Sequence, residues 1–287
     1  MFEIFSRSWK ITKLSFKVIS HDKEMLMFPV LSGVFSVLFF IAMLFPSVIS
    51  KLIEDSAVND GVSYLLVFVT YLGLAFISTF FSVATVYTVK TRFEGNNASF
   101  MDSIKFSFSK IHLILGWSAV SATVGLILNI LDSIADKASG PVKFILNGIR
   151  FVAGMAWVIV SVFVVPAMVY DNVGPFKALK ISTGAIKKTW GESLVRVYGL
   201  GFIQGLMIVL GILVFGALGY LLRAADVMIL IGLGVIGVVY LIMVILVFNV
   251  ANTVYNTALF VYANTGKIPE GFDSEVISHA FEKNKIR

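Results

Sequence analysis

Cysteine is absent from the 287-residue chain. That excludes disulfides, thiolate metal sites and a cysteine nucleophile. Charge is scarce: only 14% of residues are Asp, Glu, Lys or Arg, against about 25% in an ordinary soluble domain. A water-soluble core needs a polar coat, and this chain has too little polar sequence to build one. Histidine is nearly absent too. His21, His112 and His279 are the three, and no two stand at metal-ligand spacing. There is no HExxH, no P-loop, no glycine-rich strand–helix turn and no GxSxG elbow. The expectations are therefore no metal, no cofactor and no enzymatic activity.

What fills the chain is hydrocarbon. Hydrophobic residues make up 58%, and the mean hydropathy is +0.91. A membrane-crossing helix needs roughly 20 mainly apolar residues. Six stretches qualify, at residues 25–49, 62–88, 113–131, 144–170, 194–222 and 228–262. They are continuous runs, which fit helices and not barrel strands. The last is too long for a perpendicular crossing and must tilt or continue into the cytoplasm. The expected fold is all-α: a six-span membrane domain over residues 1–262 and a cytoplasmic tail over 263–287. In the tail, Asp273 is a candidate N-cap, with Phe272 placed to staple onto Ile277. More than twenty residues precede the first apolar run, so it reads as a helix that stays and not as a cleaved signal.

The 23 Lys and Arg residues give a net charge of +6 and are unevenly placed. Only Lys51, Lys137, Lys143, Arg150 and Arg223 fall on one side of the spans. The rest collect on the other, which the positive-inside rule makes cytoplasmic. An even number of spans then puts both termini in the cytoplasm of a plasma or inner membrane. Asn97-Ala98-Ser99 matches a glycosylation pattern, but this topology keeps it inside. Basic charge beside apolar spans points to anionic lipid headgroups as partners, not nucleic acid.

Three basic amphipathic segments recur on that side. In the first, Phe2, Phe5, Trp9, Thr12, Phe16 and Ile19 fall on one helical face, with Lys10, Lys13 and Lys17 off it. In the second the face is Met101, Ile104, Phe108, Ile111 and Leu115, with Lys105 beside it. In the third it is Phe176, Leu179, Thr183, Ile186 and Trp190, with Lys177, Lys180 and Lys187 off it. Ser8, Ser107 and Ser182 occupy equivalent places. The pattern reads as three copies of one unit, an interfacial helix leading into a hairpin of two spans. The seven lysines are the candidate headgroup contacts. Trp9, Trp117 and Trp190 are expected near the interface.

Two longer patterns carry a family resemblance. Phe5-Ser6-Arg7-Ser8-Trp9-Lys10, followed by Asp22-Lys23-Glu24-Met25-Leu26-Met27-Phe28-Pro29, resembles the N-terminus of a family of uncharacterised six-span membrane proteins of bacteria and archaea. The run Ala258-Leu259-Phe260-Val261-Tyr262-Ala263-Asn264-Thr265-Gly266, then Pro269 and Gly271-Phe272-Asp273, resembles the end of the same family. The family is a domain of unknown function, so the resemblance implies a fold and no activity. More loosely, Val165-Pro166 with Gly174-Pro175-Phe176-Lys177-Ala178-Leu179-Lys180-Ile181-Ser182 is similar to membrane domains attached to some glycerophosphodiester phosphodiesterases. The catalytic domain of those enzymes is missing, so their activity does not carry over.

Polar residues inside spans are costly and mark function or packing. Asn249, Asn252 and Asn256 share one face near the cytoplasmic end of the sixth span. With Gln204 in the fifth, they read as a polar pathway or as interhelical hydrogen bonding. Arg150 lies inside the fourth span, with Asp132 at the end of the third as a candidate partner. Gly201 and Gly205 form a GxxxG pattern suited to close helix packing, and Gly232, Gly234 and Gly237 are weaker signs of the same. Such faces leave a homo-oligomer open. The favoured reading is a structural or lipid-interacting membrane protein, with a transporter or channel for a small solute or lipid as the alternative.

Overall fold

The computed structural model describes residues 2–53, 60–190, 199–223 and 226–272. The expected cap Asp273, its staple partner Ile277 and His279 lie outside them. So do the side chains of Phe2, Phe5, Ser8 and Trp190. Helices occupy nearly all of the described residues, and no strand occurs among them. They are α1 (Phe2–His21), α2 (Met27–Ile53), α3 (Asp60–Phe93), α4 (Phe100–Ser109), α5 (Ile111–Lys137), α6 (Gly140–Ser161), α7 (Val164–Asp171), α8 (Pro175–Trp190), α9 (Gly199–Leu221) and α10 (Val227–Thr265). Among the described residues, six helical stretches are long and apolar enough to cross a membrane: Lys23–Phe45, Tyr64–Phe93, Ile111–Lys137, Gly140–Asp171, Leu200–Leu221 and Val227–Thr265. The chain is a polytopic helical membrane protein.

Local chemistry explains the boundaries. Asp226 caps α10 by accepting from the Met228 N–H at 2.8 Å. Gly266, at φ 69°, ends the same helix in the left-handed conformation that glycine adopts without strain. At the start of α4, Ser99 and Asp102 form a capping box. The fourth span departs from the expected continuous helix. It breaks between α6 and α7, and the cause is Pro166. Proline has no N–H to give Val162, four residues back, and its ring crowds that carbonyl.

Two compact units divide the chain: Met1–Met27 with Phe93–Gly95 and Lys188–Arg287, and Phe28–Arg92 with Asn96–Lys187. In the first, α1, α9 and α10 pack together. Phe16 meets Phe248 edge-on at 5.5 Å. The segment after Gly266 folds back and places Phe272 against Phe93 and Tyr255. In the second, α5 and α6 form a hairpin. Trp117 is 6% exposed and stacks on Trp157 at 5.3 Å. The ring is taken up by packing within the hairpin.

Burial is uneven along the spans. Residues of α10 from Val227 to Ile245 are largely exposed, whereas Phe248 to Phe260 are largely buried. Residues of α6 from Val142 to Val158 are exposed or half-buried, and burial begins at Phe163. In each unit the well-packed part therefore lies toward the end that carries most of the lysines. The exposed apolar lengths approach one hydrocarbon thickness, about 20 residues.

At Gly205 the GxxxG expectation finds no neighbour within the chain. A Cβ on Gly205 would meet open space within the chain. The close α9–α10 approach runs instead through Gly211, which faces the Tyr240 ring, and Gly237, which faces Phe215. Six residues separate Gly205 from Gly211, a rotation of roughly 240° about the helix. The two glycines therefore look in different directions.

Candidate functional site

The basic segments owe their orientation to small polar residues. On α4, Ser103 and Ser107 are fully buried. The Ser107 hydroxyl donates to the Phe80 carbonyl of α3 at 3.1 Å. The Ser103 and Thr88 hydroxyls share a hydrogen bond of 2.7 Å. Tyr87 and Phe106 stack at 4.1 Å, and Phe108 meets Phe80 edge-on at 4.9 Å. On α8, Ala178, Ser182 and Ala185 are the buried face. The Ser182 hydroxyl accepts from the Phe163 N–H at 3.1 Å and donates to the Val160 carbonyl at 2.6 Å. It thereby satisfies two backbone groups at the α6–α7 break, which a helix in lipid cannot leave bare. Ser107 and Ser182, equivalent in sequence, both tie a basic helix to the backbone of the span before it. On α1 the corresponding face is Ile11, Ser15 and Val18, all buried. The Ser15 hydroxyl finds no partner there among the described residues.

Burying the small face turns the large apolar residues outward. Trp9, Met101, Phe108, Ile111, Leu115 and Phe176 are exposed, with Phe176 at 75%. Ile104, Leu179, Thr183 and Ile186 are half-buried, whereas Thr12 and Ile19 of the first segment are buried. Lys10, Lys13, Lys17, Lys105, Lys177, Lys180 and Lys187 are all exposed. In α4 and α8 this sets aromatic or aliphatic surface beside ammonium groups. Two further basic residues went unmarked in the sequence. Lys110 donates to the Asn172 side chain at 2.7 Å, and the Lys90 ammonium lies 5.2 Å over the Tyr170 ring. Asn172, left-handed at φ 50°, caps α7. The signal was present in Asn172 followed by Gly174-Pro175, a helix stop.

At the head of α4, the Ser99 hydroxyl and backbone N–H both donate to Asp102, at 2.7 and 3.2 Å. These bonds hold the Asp102 carboxyl below its ordinary range, with Lys105 adding a smaller pull in the same direction.

The structure does not assemble Asn249, Asn252, Asn256 and Gln204 into a bonded cluster. Asn249 is exposed and the other three are half-buried. None of the four side-chain amides has a hydrogen-bond partner among the described residues. The 39 residues of α10 run to about 58 Å at 1.5 Å per residue. A hydrocarbon core of about 30 Å takes up some 20 of them. Counted from Val227, that length ends before Asn249. Arg150 and Asp132 are brought together: Nε lies 2.8 Å from Oδ1. Asp136 pairs with Lys143 across the turn at 3.3 Å. No cluster of metal-ligating residues occurs among the described residues.

Residues 61–271 match the model of a family of unknown function, DUF6159. No curated protein matches the chain.

Proposed function

We propose that this chain, which belongs to the DUF6159 family of unknown function, is a lipid-interacting structural protein of the cell membrane whose basic helices lie in the headgroup boundary. The observation that carries the reading is the orientation of α4 and α8. α4 buries Ser103 and Ser107, α8 buries Ala178, Ser182 and Ala185, and each leaves large apolar residues and lysines outward. In water that face would cost free energy; at a bilayer surface the rings enter the acyl boundary while the ammonium groups meet anionic headgroups. Each lysine near such a surface is worth about 1 kcal/mol. Lys177, Lys180 and Lys187 together would then enrich anionic lipid at α8 roughly a hundredfold. Both termini are cytoplasmic in this reading, because the lysine-rich ends belong inside. No catalytic role is assigned. The resemblance of both ends of the chain to bacterial and archaeal six-span proteins supports a prokaryotic membrane. The looser similarity to phosphodiesterase-linked membrane domains agrees with a place beside lipid.

Transport of a small solute or lipid is the second reading, and it rests on the amides of α10. Their position beyond one hydrocarbon length speaks against a midplane site.

Depth measurement tests the proposal. Nitroxide-labelled Phe108→Cys and Phe176→Cys, reconstituted in vesicles containing anionic lipid, should be reached by oxygen and shielded from a water-soluble nickel relaxer. Labels relaxed freely by nickel would place both faces in water and sink the reading. Replacing Lys177, Lys180 and Lys187 by Gln should strip co-purifying anionic lipid.

A further inference from the structure

The α5–α6 hairpin carries a polar stripe that a single chain leaves incomplete. On α5, Asn129, Asp132 and Asp136 are spaced by three and four residues. On α6, Lys143, Asn147 and Arg150 are spaced by four and three. Each set occupies one helical face. The two faces meet along the hairpin seam, since Arg150 reaches Asp132 and Lys143 reaches Asp136.

Depth makes the stripe costly. Arg150 stands ten residues into the Gly140–Asp171 span, and Asp132 five residues before α5 ends at Lys137. A charge inside a span carries an insertion cost that falls toward the interface. Arg150 and Asp132 nevertheless keep 49% and 39% of their side chains exposed. The guanidinium uses Nε, and among the described residues nothing takes its other N–H groups. The Asn129 and Asn147 amides have no hydrogen-bond partner among them either. Beside the stripe on α6, Phe144 and Phe151, three and four residues from Asn147, are exposed.

We propose that two copies of this chain associate through this stripe, the Arg150–Asp132 pair of each completing the other in an isologous contact. Charge decides the occupant. Two carboxylates and two cations sum to zero, and an asparagine amide both donates and accepts. An identical stripe matches such a surface group for group, whereas a lipid phosphate would call for net positive charge. A second copy also covers the surrounding apolar residues, which a twofold contact repeats on both sides. This inference requires that the chain crosses a membrane and is independent of any role for the basic helices.

The cysteine-free chain makes the test direct. In native membranes, Asn147→Cys should cross-link into dimers. Val152→Cys, exposed but on the opposite side of α6, should not. In lipid nanodiscs, the double variant Asp132→Leu, Arg150→Met removes both charges without stranding one, and should weaken dimerisation about tenfold or more. Asn147→Leu, which leaves the ion pair intact, should weaken it less and guards against misfolding of the double variant. Equal cross-linking at both positions would overturn the proposal, as would a monomeric wild type in nanodiscs. So would a monomer that retains a phospholipid lost on Asp132→Leu, Arg150→Met.

Discussion

The buried Phe163 amide gives its proton to the Ser182 hydroxyl at 3.1 Å, across the break in the fourth span. The same hydroxyl gives its own proton to Val160 O. Deleting it strands a buried N–H and a buried carbonyl, each costing about 1–3 kcal/mol. Ser182→Ala should therefore lower the unfolding free energy by roughly 2 kcal/mol or more. The loss should shrink in a Pro166→Ala background, because a helix with its N–H restored re-forms its own ladder. Thermal unfolding of the four proteins of that cycle in one detergent gives the coupling. Additive losses would mean that the serine does not repair the proline break.

The glycines of α9 give a sharper contrast. Gly211→Ala drives a methyl into the Tyr240 ring, which is held by its hydroxyl's bond to Met207 O at 3.0 Å. A cost of about 1–3 kcal/mol is expected, as for overpacking in general. Gly205→Ala meets open space within the chain and should be neutral, or stabilising by about 1 kcal/mol through helix propensity. Melting temperatures of the two variants should thus move apart. Equal destabilisation would show that Gly205 faces a neighbour after all.

Those cases show where sequence stops speaking. Six apolar runs announce six spans because length and hydropathy are local properties. Ser107 and Ser182 stood out in the sequence as equivalent positions. The serines' partners were not legible. Phe80 and Val160 lie 27 and 22 residues upstream, and only packing brings them near. Pro166 is visible in sequence, yet proline is common enough in membrane helices that it does not by itself announce a break. The GxxxG pattern did not locate the α9–α10 contact, because a motif states that a helix can approach closely, not which face its neighbour takes. Arg150 and Asp132 could be matched because they flank one short turn. The same matching failed for the asparagines of α10, whose side chains have no comparable opposite.

Asp102 makes the cap of α4 sensitive to acid. Its carboxyl titrates below the ordinary value of about 3.9 because Ser99 donates to the charged form. A lowered folded pKa stabilises above the unfolded value and is lost as pH falls through the folded one. Asp102→Asn should therefore lower the melting temperature by a constant amount from neutral pH down to about 4. The gap to wild type should then close in stronger acid. Ser99→Ala should cost about 0.5–2 kcal/mol near neutrality and should narrow the same acid dependence. A gap between wild type and Asp102→Asn that stays constant into strong acid would exclude the charged cap.

The amide face of α10 yields the prediction that separates the two functional readings. Asn249, Asn252 and Asn256 have no bonded partners among the described residues, so Leu at any of them strands no hydrogen bond there. Each replacement should change stability by less than about 1 kcal/mol, near the average for an interhelical bond in a bundle. If the face lies at the boundary, Asn252→Leu should leave the permeability of proteoliposomes to small solutes at the wild-type level, and neither protein should exceed empty vesicles. A solute flux present in wild type and abolished by Asn252→Leu would reverse the order of the two readings. It would require a hydrated path reaching that face, and the 20-residue estimate of the hydrocarbon crossing from Val227 would then be wrong by several turns.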